Sequence, residues 1–214
     1  SAVGALVMFG LAIVAAQTDV DLTRLPVGDG HVSTEPLVGY VWSCQTSFPT
    51  DNVGAHAVGD WFNGDGTFDF TAKAIVDGAV QWDGQLEITV VGEDRIFTGN
   101  HVPSYHTTGT YPVSSADDAY QFDRNPNTIQ ELDLAFVLPA NPTVADQPSC
   151  LPMGTIGVMK SGVVFFNALD AGARDEVDYE TQDACQGHPE QSGEYHYHNL
   201  STCVAEHEEG EEMT

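Results

Sequence analysis

From residue 39 onward, short runs rich in β-branched and aromatic residues recur between turn-forming residues. Tyr40-Val-Trp-Ser43, Ala79-Val-Gln-Trp82, Leu86-Glu-Ile-Thr-Val-Val91 and Arg95-Ile-Phe-Thr98 come first, the last three separated by Asp83-Gly84 and Gly92-Glu-Asp94. Leu134-Ala-Phe-Val-Leu138 follows, then Ile156-Gly-Val-Met159 and Val163-Val-Phe-Phe166, joined at Lys160-Ser-Gly162. Apolar runs of this length broken by Gly, Asp and Asn are strand and hairpin signals. Few windows have helical periodicity; residues 172–184 predict a turn or two with acidic residues early in it. The pattern predicts a mostly-β fold: a single antiparallel β-sandwich or barrel-like domain over residues 39–204, with long loops and little helix. Residues 18–38, with Gly28-Asp-Gly-His31 and Pro36, read as an extended linker, and residues 205–214 as a solvated acidic tail.

Residues 1–17 are a different kind of segment. Val3 to Ala16 is apolar throughout, short for a membrane span of about 20 residues. Its length suits the apolar stretch of a signal peptide, and Val14-Ala-Ala16 suits cleavage before Gln17. A signal remnant is the first expectation. A retained apolar segment that docks into a neighbouring subunit or membrane is the second.

Composition excludes whole classes of partner. The 214 residues include 32 Asp and Glu against 6 Lys and Arg, a formal net charge of −26. Such a field repels phosphate backbones and anionic headgroups, which argues against nucleic-acid binding and against basic-residue docking on anionic membranes. It suits a marine or halophilic setting, where salt screens the repulsion, or a surface that recruits cations. Cys44, Cys150, Cys185 and Cys203 form no Cys-x-x-Cys pair, so a zinc ribbon or thioredoxin-like site has no support. An even number at wide spacing predicts two disulfides and an extracellular, periplasmic or cell-surface location. Of the three possible connectivities, Cys44–Cys150 with Cys185–Cys203 is preferred, because the second bond closes a loop around a histidine-rich segment.

That segment carries the candidate chemistry. It reads Cys185-Gln-Gly-His188-Pro-Glu-Gln-Ser-Gly193-Glu-Tyr195-His196-Tyr197-His198. Side chains alternate along a strand, so His196 and His198 share one face and Tyr195 and Tyr197 the other. The loop after His188 can fold back and deliver a third imidazole. Asp170, Glu180 and Asp183 lie just upstream, as further ligands or as acceptors that orient the rings. Imidazoles in this number suit a transition metal, copper or zinc. The plain alternative is a half-buried strand whose histidines are satisfied by hydrogen bonds. Elsewhere, Asn63-Gly-Asp-Gly-Thr-Phe-Asp69 fails the EF-hand pattern and reads as a hairpin turn, and Asp123-Arg-Asn-Pro126 as a turn held by side-chain bonds to backbone.

Several segments in order resemble the YHYH domain family: Tyr120-Gln-Phe-Asp-Arg-Asn-Pro-Asn127, Leu138-Pro-Ala-Asn-Pro142, Cys150-Leu-Pro-Met-Gly154, Phe165-Phe-Asn-Ala-Leu-Asp170, Gln182-Asp-Ala-Cys-Gln-Gly-His-Pro189 and Tyr195-His-Tyr-His198. The likeness spans about residues 38–204. It implies an exported setting and a shared fold more than a reaction. It also implies that Asp170, Asp183, His188, His196 and His198 belong to the family motif, and adds His106, in Tyr105-His-Thr-Thr-Gly109, as a further metal candidate. Two departures stand out: His101 where a Gly is expected, and Tyr179, before Glu180, where a His often appears.

Three functions follow. The first is an exported metal-binding β domain whose ligands come from His188, His196, His198, Asp170 and His106. The second is a metal-dependent hydrolase at the same site, with Glu180, Asp183 or Glu194 as general base. The third is a structural module that assembles through residues 1–17. No Gly-rich phosphate loop follows a strand, and no Gly-x-Ser-x-Gly elbow is present.

Overall fold

A computed structural model describes residues 20–51 and 53–204. The expectations for the apolar segment 1–17 and the tail 205–214 lie outside the described residues. The chain opens with β1 (Leu25–Pro26), β2 (Val32–Ser33), β3 (Val41–Trp42) and β4 (Thr67–Phe68). It continues through β5 (Leu86–Val91), β6 (Asp94–Gly99), a 3-10 turn (Asp118–Gln121) and β7 (Leu134–Pro139). The last third holds β8 (Thr155–Val158), β9 (Val164–Phe166), the one-turn helix α1 (Glu176–Tyr179), β10 (Gly187–Pro189) and β11 (Tyr195–Tyr197).

The fold is mostly β, as the alternating runs predict, but the strands gather into several small sheets and no barrel closes. Strands β5, β6 and β7 form an antiparallel meander. A four-stranded sheet in the order β10-β11-β9-β8 is mixed, with β11 antiparallel to β10 and parallel to β9. The pairs β1–β4 and β2–β3 complete the set, the second of them parallel. The mostly-β expectation holds, while the strands divide into small sheets and pair in parallel at β9–β11 and β2–β3. The physical reason lies in the aspartates. Asp69, Asp117, Asp123, Asp170 and Asp183 each accept from a backbone N–H two or more residues on, satisfying loop donors that a longer ladder would otherwise take. The run Ala79–Trp82 accordingly contributes only an isolated bridge, Val80 to Thr108.

Residues 18–38, expected as a linker, are stitched into the domain where described. Leu25 and Pro26 pair with Phe68 and Thr67, and Gly28 donates its N–H to Asp175. Both preferred disulfides are present: Cys44–Cys150 and Cys185–Cys203. Among the described residues no helix is long and apolar enough to cross a membrane.

The mixed sheet positions the histidines. Tyr195 and Tyr197 are fully buried and pack with Val76, Val102, Tyr111 and Val163 in the core. Alternation sends His196 to the other face of β11, where the antiparallel register sets it directly opposite His188. The close β10–β11 approach depends on Gly187, where an added Cβ would collide with the Tyr195 ring. Gly187→Ala should therefore cost about 2 kcal/mol through overpacking, read as a lower urea midpoint at unchanged slope. An unchanged midpoint would refute the close-packing account.

Candidate metal centre

His188, His196 and His198 are all buried, and one ring nitrogen from each lies within 4.8 Å of the others. Their orientation is set by backbone carbonyls. Nδ1 of His196 donates to Glu194 O at 3.0 Å, and Nδ1 of His198 donates to Asn167 O at 2.5 Å. A carbonyl oxygen only accepts, so both protons sit on Nδ1 and both Nε2 atoms carry lone pairs. Those two Nε2 atoms stand 3.0 Å apart, facing each other. Phe166 stacks on the His196 ring at 3.8 Å between centroids and closes one side.

Burial keeps the rings neutral. It pushes His196 down to about 4 and His198 well below the ordinary imidazole range, with the neighbouring His196 adding to the shift at His198. His188 is likewise held well below its ordinary value by burial, then by His196 and His198. Neutral imidazoles with free Nε2 lone pairs are metal ligands in waiting.

His188 connects this cluster to a carboxylate layer. Its Nε2 is 3.3 Å from Glu176 Oε1, and its Nδ1 is 3.6 Å from Glu180 Oε2 with no hydrogen-bond partner. Glu176 is anchored by the Gln182 amide, which Lys73 holds in turn. Burial raises Glu176 to about 8 against the pull of Lys73, and raises Glu180 well above the carboxylate range. Asp123, Glu180 and His188 form a second group with ligand atoms within 4.8 Å of one another. A cavity of about 480 Å³ opens onto both groups and is lined by Asp123, Glu176, Glu180, His188, His196 and His198.

The other expected residues are placed elsewhere. Asp170 edges the cavity, but its carboxylate is taken by Arg174 Nε at 2.7 Å and by the N–H groups of Gly172 and Arg174. Asp183 lies on the tyrosine side, accepting from Gly109 N, Cys185 N, Gly187 N and the Tyr195 hydroxyl. His106 sits on that side too, with Nδ1 donating to Thr107 O and Nε2 2.5 Å from the Tyr197 hydroxyl. Glu194 holds His101 at 2.8 Å. Sequence reasoning missed Glu176 and the second role of Asp123. The i, i+4 spacing of Glu176 and Glu180 across a short helical turn was the available signal for the first. Asp123 does make the expected turn, accepting from Asn125 N, while also facing Glu180 and His188.

Residues 135–214 match the family model described as YHYH protein. The match runs from Ala135 in β7 through β11, and so covers every histidine of the cluster together with Glu176 and Glu180. No curated protein and no solved structure matches the chain.

Proposed function

We propose, with residues 135–214 matching the YHYH protein family model, that the chain is an exported metal-binding β domain that holds copper or zinc through His188, His196 and His198. One observation carries the reading: two Nε2 lone pairs face each other across 3.0 Å, with both ring protons committed to carbonyls. Two such lone pairs repel unless a cation stands between or beside them, and a proton is a poor candidate in a site where burial disfavours imidazolium. Imidazole ligands suit copper and zinc, with copper favoured on raw affinity. Thiolates are not in competition, because every cysteine is paired. The disulfides support export to an oxidising compartment, and the net charge of −26 suits a saline one.

The cavity supports a second reading on the same site, a metal-dependent hydrolase. Three imidazoles leave a fourth position open toward about 480 Å³ of space. Of the three expected carboxyl groups, Glu180 is the one left to move a proton there, since Asp183 is consumed by its four donors and Glu194 by His101.

Metal analysis of protein purified without an affinity tag and equilibrated with excess zinc or copper tests the proposal. Wild type should retain ion through desalting, and His196→Ala with His198→Ala should retain at least one equivalent fewer. Equal content in the two proteins, or none in wild type, would refute it.

A further inference from the structure

The imidazole cluster leaves one nitrogen unused. His188 Nδ1 is buried, has no hydrogen-bond partner, and is 3.6 Å from Glu180 Oε2. His188 belongs to both sets of converging ligand atoms, one with His196 and His198, the other with Asp123 and Glu180. The two nitrogens of an imidazole point in divergent directions, so one ring can offer a lone pair to each of two ions. The same cavity reaches both positions. Gly54 helps hold the second one open, because an added Cβ there would collide with the Glu180 carboxylate.

We propose that His188 bridges two metal ions, its Nε2 completing the imidazole set with His196 and His198 and its Nδ1 joining Asp123 and Glu180 in a second, oxygen-rich position. The proposal rests on the imidazole set holding metal, and goes beyond it in assigning a second ion. The donor sets predict unlike preferences. The nitrogen-rich position favours copper or zinc, whereas one imidazole with two carboxylates suits zinc or manganese. Binding at both nitrogens makes the ring an imidazolate: the N–H proton of neutral His188 leaves to solvent as the second metal–nitrogen bond forms, and the carboxyl proton of Glu180 leaves to solvent as its oxygen binds. The two carboxylates and the imidazolate together offset three of the four positive charges that two divalent ions bring.

Stoichiometry and magnetism test this on the full chain with its disulfides intact. Chelator-stripped protein is loaded with Cu(II), and bound copper is counted after desalting. Wild type should hold two ions, Glu180→Gln one, and the His196→Ala, His198→Ala pair one. Imidazolate couples the two spins, so the low-temperature electron paramagnetic resonance signal of the two-copper wild type should integrate to under half that of two independent Cu(II) ions. His188→Ala should remove that coupling. Glu180→Gln is preferred to Asp123→Asn as the probe, because Asp123 also holds the Asn125 and Thr181 N–H groups. Near-ultraviolet circular dichroism confirms that each variant is folded. A single wild-type ion lost in the double histidine variant would overturn the bridge and leave the imidazole site standing. Two ions with full, uncoupled signal would also overturn the bridge. No bound ion at all would overturn both readings.

Discussion

Replacing Asp183 with alanine is expected to remove about 4 kcal/mol of folding stability, seen as a lower urea midpoint by tryptophan fluorescence. The carboxylate is buried, and four donors converge on it: Oδ1 takes Cys185 N and Gly187 N, and Oδ2 takes Gly109 N and the Tyr195 hydroxyl at 2.8 Å each. Removing it strands all four in the buried core, and each buried unpaired donor costs about 1–3 kcal/mol. The hub ties the turn before β10 to the tyrosine face of β11 and to the loop at Gly109, so it holds the histidine face in register from behind. A loss under about 1 kcal/mol would show that the loops repack around the gap. The comparison with the His196→Ala, His198→Ala pair separates two roles that adjacent sequence hides. Asp183→Ala should weaken the metal-free chain, whereas the histidine pair should chiefly lose metal.

The distinction between these roles was partly legible in the sequence. Period-2 alternation places the tyrosines in the core and His196 on the opposite face, and the loop after Pro189 brings His188 across from it. The disulfide around this loop is the one preferred among the three connectivities four cysteines allow. Asp170 and Asp183 drew attention as carboxylates near histidines, yet both open turns, as short side chains that reach the backbone two residues on tend to do. The carboxylates that do reach the cluster are Glu176 and Glu180, both beside His188, together with Asp123, which faces Glu180 and His188 as well as holding its own turn. His106 could not be placed by any local pattern, because its partner Tyr197 is 91 positions away. The division into small sheets was hidden for a related reason: nothing in an apolar run announces that the neighbouring loops will satisfy their backbone through aspartates instead of through further strands.

Acidification should expose the cost of keeping these imidazoles neutral. Metal-free wild type and His196→Gln are compared by urea unfolding across pH, so that groups common to both cancel. An unfolded histidine titrates near 6.5, whereas burial pushes folded His196 down to about 4. Between those values the unfolded chain binds a proton that the folded chain refuses, so stability falls as pH falls. The stability of wild type relative to the variant should drop by about 3 kcal/mol from pH 6.5 to 4, at 1.36 kcal/mol per unit. A flat difference would mean that His196 titrates normally in the fold. The carboxylates act with opposite sign. Burial raises Glu176 and Asp178 to about 8, so the folded chain keeps protons that the unfolded chain releases, and stability is lost as pH rises through that value. The metal-free domain is thus pressed from the acid side by His196 and from the alkaline side by Glu176 and Asp178. Zinc-loaded wild type should accordingly keep its stability further into the acid limb than the metal-free chain does, because a proton must first displace the ion from the Nε2 lone pair.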